Sequence, residues 1–213
     1  DIIVGDGLIH GECEKLYAWY IEIGGSYVVD TIPGFPVLLG DNLLSAVAGD
    51  VDPNSSGLEI AISTEWGKLY LIHSDGNIAS NWPKELWVSR FNAASPSLAD
   101  VDEDGIPEVT IGDARGIWVF NQDGTSLPGC PFLRGRPSPS QAVTGDITGP
   151  AGKRRNAISV DNRVYTYYTD GSKIEGFPIK TPHRPESTLP IADIDQDGDA
   201  EIVLVSLDKN VYI

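Results

Sequence analysis

The sequence predicts an all-β protein built from repeated units of four short antiparallel strands, arranged as a β-propeller. Acidic stretches that begin at Asp50, Asp100, Asp146 and Asp193 recur about every 47 residues along the 213-residue chain. Each leads into a short run of alternating apolar and polar residues, as in half-buried strands, and no stretch has a sustained helical period. Repeats of roughly 40 to 50 residues with four strands have the size of a propeller blade. A β-sandwich would leave the period unexplained.

The elements of a unit follow one another in a fixed order. After the acids comes an alternating run, such as "EIAIST" from Glu59 or "EVTIGD" from Glu108. A second run carries an aromatic residue in register, at Tyr17, Tyr70, Trp118, Tyr165 and Tyr212. A turn such as Asp75-Gly76 follows, which is a strong hairpin signal. The unit closes with "GFP", "NWP" or "GCP", where Cys130 fills the place of an aromatic side chain.

These repeats divide the chain into three full blades between two partial ones. The predicted boundaries are a partial blade at 1–44, blades at 45–94, 95–139 and 140–187, and a partial blade at 188–213. We therefore expect an incomplete ring, or part of a larger propeller whose other segments belong to a longer parent chain.

Composition limits the possible partners. The chain has 31 acidic and 15 basic residues, for a formal net charge of −16, which disfavours nucleic acid. No apolar run reaches the length of a membrane span. The two cysteines, Cys13 and Cys130, do not fix the redox compartment.

Two acidic loops predict calcium sites. In each loop, carboxylates occupy alternate positions and a glycine occupies the sixth position, so the carboxylates can converge on one centre. Ca²⁺ takes about 6–8 hard oxygen ligands of this kind. The predicted ligands are Asp100, Asp102, Asp104, the Ile106 carbonyl and Glu108 in one loop, and Asp193, Asp195, Asp197, the Asp199 carbonyl and Glu201 in the other. The alternative is that the acids cap turns without a metal.

A third candidate loop contains Asp50, Asp52, Asn54 and Glu59, with one extra residue before the glutamate. The Asp146 loop lacks the later acids. An EF-hand is excluded, because its twelfth position requires a bidentate glutamate and here holds Ile111 or Leu204 within strand-like alternation.

The pattern D-x-D-x-D-G-x-x-[DE] at Asp100 and Asp193 resembles the FG-GAP/VCBS repeats of integrin α-subunit propellers and many secreted microbial proteins. The "DG…GFP" endings look more like the microbial branch. The resemblance implies calcium-stabilised blades and an extracellular setting, secreted or at the cell surface. It also implies that partners dock on the face opposite the acidic loops. It does not imply one activity, because many functions share this scaffold.

The connections between the fourth strand and the next unit, on that opposite face, carry a candidate ligand site. Its residues are Trp87, Arg90, Arg134, Arg136, His183 and Arg184. Arginine binds carboxylates and sulfates through its planar fork, and tryptophan can stack on a sugar ring. An acidic protein surface or an anionic polysaccharide is the expected partner. The alternative is that these arginines cap loops and pair with nearby acids.

The function that fits best is a non-catalytic, calcium-binding extracellular scaffold for adhesion or ligand binding. No nucleophile elbow, zinc-binding pair or phosphate loop is present. Two alternatives remain open. One is a polysaccharide lyase, with His183 and Lys180 as candidate bases, and the other is a structural spacer in a larger secreted protein.

Overall fold

The structure is a computed structural model, and it describes residues 2–5, 15–23, 27–87, 95–132, 143–145, 155–160, 162–168, 172–183, 189–197 and 200–213. Within these ranges the chain forms antiparallel strands and turns without a helix, which confirms the all-β prediction. Accordingly, none of the described residues forms a helix long and apolar enough to cross a membrane.

The first sheet is centred on its longest strand. Its strands are β1 (Ile2–Gly5), β2 (Lys15–Ile23), β3 (Tyr27–Thr31) and β4 (Val37–Leu38). Strand β2 pairs with β1, β3 and β4. In later sheets the counterpart of β3 is reduced to single bridges, such as Ile72 with Ile78.

The following sheets repeat one simple order. The second runs β5 (Leu43–Gly49), β6 (Glu59–Thr64), β7 (Lys68–Ile72) and β8 (Lys84–Glu85). The third contains β9 (Ser97–Ala99), β10 (Glu108–Asp113) and β11 (Gly116–Phe120). At the place of a fourth strand, the described residues of this sheet contain a bridge between Ile117 and Phe132.

The fourth sheet and the last strands complete the described structure. The fourth sheet runs β12 (Val143–Gly145), β13 (Arg155–Val160), β14 (Arg163–Tyr168) and β15 (Ile179–Lys180). Then β16 (Ile191–Ala192) pairs with β17 (Glu201–Ile202), and β18 (Leu204–Val205) pairs with β19 (Val211–Tyr212).

Apolar cores lie between consecutive sheets. Every residue of β6 is buried, because its side chains point alternately to two neighbours: Ile60 and Ile62 join a core with the first sheet, and Ala61 joins one with the third. Each large aliphatic side chain buried in this way contributes roughly 1.5–3 kcal/mol. Burial on both faces therefore explains why the sheets stack one after another.

One strand from each sheet lies beside its counterpart in the next. Strands β1, β5, β9, β12 and β16 are neighbours in that order. The approach is close, since a Cβ on Gly49 of β5 would lie 2.7 Å from Leu98 Cδ1 of β9. The acidic loops of the sheets consequently lie on a common side.

A polar seam joins neighbouring sheets at their outer turns. At the second seam, Asn81 Nδ2 donates to Asp123 O and Trp82 Nε1 donates to Gln122 O, each at 3.0 Å. At the first seam, Gly34 packs directly on the Asp75-Gly76 turn. Four peptide bonds to proline in these repeats are cis: Phe35-Pro36, Trp82-Pro83, Cys130-Pro131 and Phe177-Pro178.

Candidate metal loops and ligand face

The two groups of predicted site residues lie at opposite ends of the sheets. The acidic loops connect β5 to β6, β9 to β10 and β16 to β17. The other end holds the β6–β7 and β10–β11 hairpins and the connections that follow β8 and β15. A cation bound at the first end would not contact a ligand at the second.

The Asp100 loop brings three carboxylates together. Asp100, Asp102 and Glu108 each place one oxygen within 4.8 Å of the others. Asp100 Oδ1 is buried and has no hydrogen-bond partner among the described residues. A buried carboxylate oxygen without a partner is costly unless a cation or water satisfies it.

Backbone hydrogen bonds fix the shape of this loop. Gly105 N donates to Asp100 Oδ2 at 3.2 Å, and Ile106 N donates to Asp104 Oδ1 at 2.8 Å. Gly105 has φ +93°, a conformation that L side chains rarely adopt. Asp104 therefore turns towards its own loop and lies outside the three-carboxylate group.

Glu108 serves the fold as well as the cluster. Its side chain is buried, and Oε2 accepts from Val101 N at 2.6 Å. Burial raises the pKa of Glu108 to about 7, and the charges of Asp102 and Asp104 act in the same direction, against the backbone N–H bonds. A nearby cation would favour the ionised form of this carboxyl.

The same hydrogen bond recurs at the equivalent glutamates. Glu59 Oε2 accepts from Val51 N at 2.9 Å, and Glu201 Oε2 accepts from Ile194 N at 2.8 Å. The glutamate at the end of the Asp50, Asp100 and Asp193 loops thus holds the start of its loop, a role that ligand spacing alone does not reveal.

The Asp193 loop is the more exposed of the two. Asp193, Asp195 and Asp197 place one oxygen each within 4.8 Å of one another, and all three are exposed. Asp197 N donates to Asp193 Oδ1 at 3.2 Å. The predicted ligand Asp199 lies outside the described residues.

The Asp50 loop is arranged differently. No group of three carboxylates converges among the described residues of this loop. Asn54 bonds Asp52 Oδ1 through its backbone and side-chain nitrogens, at 2.9 and 3.2 Å. Glu59 is fully buried, and its Oε1 lies 3.3 Å from His73 Nδ1. The third calcium site stays a prediction with weaker geometric support.

The donor sets of the Asp100 and Asp193 loops fit a hard cation. Both are composed of carboxylate oxygens, the ligand type that Ca²⁺ prefers. The unsatisfied Asp100 Oδ1 adds a position where a cation would remove a desolvation cost. When bound, such an ion would supply charge neutralisation and would crosslink the two ends of the loop.

On the opposite face, Trp87 and His183 occupy equivalent bridging connections. Trp87 N donates to Asp113 Oδ2 at 2.9 Å in the next hairpin, and Ala114 N donates to Trp87 O at 2.7 Å. The carbonyl of His183 likewise accepts from Ser206 Oγ at 3.2 Å. The other predicted ligand-face residues, Arg90, Arg134, Arg136 and Arg184, lie outside the described residues.

Arg115 belongs to this face, although the sequence did not single it out. Its Nε and Nη2 donate to the buried Asp113 Oδ2, at 2.8 and 2.5 Å. Its Cζ lies 5.6 Å from the Trp87 ring and 4.7 Å from the Trp118 ring. An arginine two residues after an aspartate in a predicted hairpin was the available signal.

Trp66 is a second unforeseen residue, and it precedes the glycine of the β6–β7 hairpin. Its side chain is 60 % exposed, against 68 % for Trp87. Trp66 N donates to the buried Asp41 Oδ2 at 3.1 Å. Exposure of a large indole could not be read from the sequence, because it depends on how the hairpin packs.

A cavity of about 370 Å³ lies between the fourth sheet and the last strands. Its lining is mostly apolar and includes Phe177, Ile202, Tyr212 and Lys180. His183, the other candidate base of a lyase, is not among the residues that line this cavity.

Comparisons with known proteins show similarity in fold. No protein-family model matches the sequence, and a search of curated proteins finds no match. The structure is similar to BBS1N, crystallised in complex with ARL6DN, with a TM-score of 0.62 and 15 % identity over 98 % of this chain and 58 % of that chain.

It is also similar to the V. cholerae biofilm matrix protein Bap1, with a TM-score of 0.56 and 14 % identity over 95 % of this chain and 34 % of that chain. This chain thus spans little more than half of BBS1N and about a third of Bap1. The likenesses are consistent with a β-propeller-like fold.

Proposed function

We propose that the chain is a β-propeller region with calcium bound in its Asp100 and Asp193 loops, which serves outside the cell as a non-catalytic scaffold for binding or adhesion. Four-stranded blades around a common axis would account for the neighbouring positions of β1, β5, β9, β12 and β16. FG-GAP/VCBS-type repeats would account for the loop pattern.

The convergence of three carboxylates in each of two equivalent loops carries the calcium part of this proposal. Carboxylates this close repel one another, and a divalent cation would turn the repulsion into attraction. Extracellular calcium sites bind at about 10⁻⁴–10⁻³ M. At tenfold excess over that constant, each site would add roughly 1.4 kcal/mol to the free energy of unfolding.

The binding part is supported by two observations. BBS1N was crystallised with a protein partner and Bap1 is a biofilm matrix protein, so similar folds occur in binding and matrix proteins. The face away from the acidic loops also exposes Trp66 and Trp87. Large exposed aromatic groups are frequent at binding surfaces.

Thermal unfolding with calcium, with magnesium and with chelator tests the calcium sites. We expect millimolar calcium to raise Tm by several degrees, and Asp100→Asn to remove about half of that increase, because one of two sites loses a ligand. Glu103→Gln is the matched control, since it removes one charge from the same loop outside the three-carboxylate group. Equal behaviour of the two variants, or no calcium effect in the parent protein, would contradict the proposal.

A further inference from the structure

We propose that Trp66 and Trp87 form a platform for a neutral polysaccharide, with the apolar faces of its pyranose rings stacked on the two indoles. This inference rests on the proposed scaffold function and specifies the chemistry of its ligand. It replaces the anionic ligand expected from the sequence with an uncharged one.

The two tryptophans are brought together by the backbone. Leu86 N donates to Gly67 O at 2.6 Å, and each tryptophan is the immediate neighbour of one of these residues. Both side chains are more than half exposed, at 60 % and 68 %. The fold thus presents two indoles from separate connections on the same end of the sheets.

Hydrogen bonds fix the backbone that carries the two tryptophans. The backbone N–H of Trp66 is bonded to Asp41 and that of Trp87 to Asp113, and both aspartates are buried. Hydrogen bonds to ionised acceptors are stronger than neutral ones. A surface that is ordered before binding loses little conformational entropy when its ligand arrives.

Within the part of the chain that the structure describes, the charges near the platform favour an uncharged ligand. Arg115 stacks against Trp87, but its guanidinium is already paired with the buried Asp113 and with the carbonyl of Glu85. An acidic sugar would therefore gain little from Arg115. The chain's net charge of −16 would also repel a polyanion.

The size of the platform favours a glycan over a protein. The exposed parts of two indoles amount to about 300 Å², whereas a stable protein interface buries about 800 Å² on each partner. A few sugar rings match the smaller area. Glu85, two residues before Trp87 in the chain, is exposed, and its carboxylate can accept hydrogen bonds from sugar hydroxyls.

Calorimetric titration with defined oligosaccharides tests this proposal. The probes are hexasaccharides of β-1,4-glucan, β-1,3-glucan, β-1,4-linked N-acetylglucosamine and α-1,6-mannan, with a hexamer of galacturonic acid as the acidic comparison, all in millimolar calcium. We expect at least one neutral hexamer to bind. Either Trp66→Ala or Trp87→Ala should weaken its binding and raise its Kd by about tenfold.

Two further variants separate stacking from folding. Trp87→Phe keeps an aromatic face and should fall between the parent protein and Trp87→Ala. Leu58→Ala changes another exposed apolar residue, which lies in the Asp50 loop at the opposite end, and should leave Kd unchanged. Thermal unfolding of each variant verifies that the platform is still folded.

Three results would overturn the inference. They are binding of the acidic hexamer alone, binding of neutral hexamers that is unaffected by both alanine variants, and binding of none of these sugars. Each result leaves the calcium effect on Tm intact, so failure of this inference is distinguishable from failure of the proposed function.

Discussion

At the scale of single residues, the glutamate that ends an acidic loop has two roles, as a candidate metal ligand and as a hydrogen-bond acceptor for the backbone. The sequence presents it as a calcium ligand, whereas Glu59, Glu108 and Glu201 all accept a backbone N–H near the start of their loops. Only Glu108 also joins a group of three carboxylates within the described part of the chain. The glutamate can therefore persist in a loop such as that of Asp50, where the other acids do not converge.

Cys130 gives a prediction at the same scale. Burial raises the pKa of its thiol from 9.0 to about 11, against the opposing effect of a backbone hydrogen bond with Val119. The thiol of the folded protein is therefore protonated at neutral pH. Because the unfolded protein loses this proton at a lower pH, the raised pKa adds to the free energy of unfolding below pH 9, and this contribution is lost as pH rises towards 11. In a Cys13→Ser background at pH 8, we expect iodoacetamide to alkylate the native protein at least about tenfold more slowly than the urea-unfolded protein.

The comparison of native and unfolded rates is its own control, because the reagent and the pH are the same. Equal rates would mean that Cys130 is accessible and ionises normally, and that it does not fill the place of an aromatic side chain in the seam.

At the scale of elements, the seam between sheets depends on close backbone contact. A Cβ on Gly34 would lie 1.7 Å from Asp75 O in the next sheet. Gly176 has the same place in its repeat and a similar φ, +89° against +93°, yet a Cβ there would meet no atom of the described residues within 4 Å. The two glycines therefore differ in steric surroundings while sharing a backbone conformation in which an L side chain would be strained.

This pair makes a matched test of the seam. We expect Gly176→Ala to cost about 1–2 kcal/mol, because alanine is strained in the left-handed region. Gly34→Ala should cost at least about 2 kcal/mol more, because the two sheets must also move apart. Urea unfolding of both variants measures the difference. If both variants lost the same free energy of unfolding, the two sheets could move apart at Gly34 without a loss of stability, and the prediction would be wrong.

At the scale of the whole molecule, negative charge opposes compactness. With a formal net charge of −16, the folded chain repels itself, and salt shortens the range of that repulsion. In the presence of chelator, we expect Tm to rise by a few degrees as NaCl increases from about 20 to about 500 mM. Circular dichroism melts measure this shift.

Millimolar CaCl₂ should raise Tm further than NaCl at the same ionic strength, because site binding adds to general screening. MgCl₂ at the same concentration is the control for divalent charge. A fall in Tm with NaCl would show that favourable ion pairs outweigh the general repulsion.

Much of the fold could be predicted because the strand pattern is local. Runs such as "EIAIST" and "EVTIGD" alternate in sequence and become β6 and β10, which are buried throughout. The pairing of Phe132 with Ile117 in the third sheet was harder to predict, because it depends on a contact across the sheet that the repeat pattern does not specify.

The candidate sites were predictable only in part. Spacing identified Asp100 and Asp193 as loop positions, but it did not show that Asp104 turns back to bond Ile106 N. Spacing likewise identified Trp87 on the ligand face and missed Trp66 and Arg115. The placement of those two residues depends on contacts between successive hairpins, which are distant in sequence.

The seam has a consequence for how such a chain can evolve. An aromatic-proline loop of one repeat meets an Asp-Gly turn of the next, as Gly34 meets Asp75-Gly76 and Asn81 meets Asp123-Gly124. A tandem duplication of one repeat in the gene would place the same two surfaces at both new junctions. The array can therefore lengthen without a new kind of interface. Individual positions can still differ between repeats, as Gly34 and Asn81 do at equivalent places.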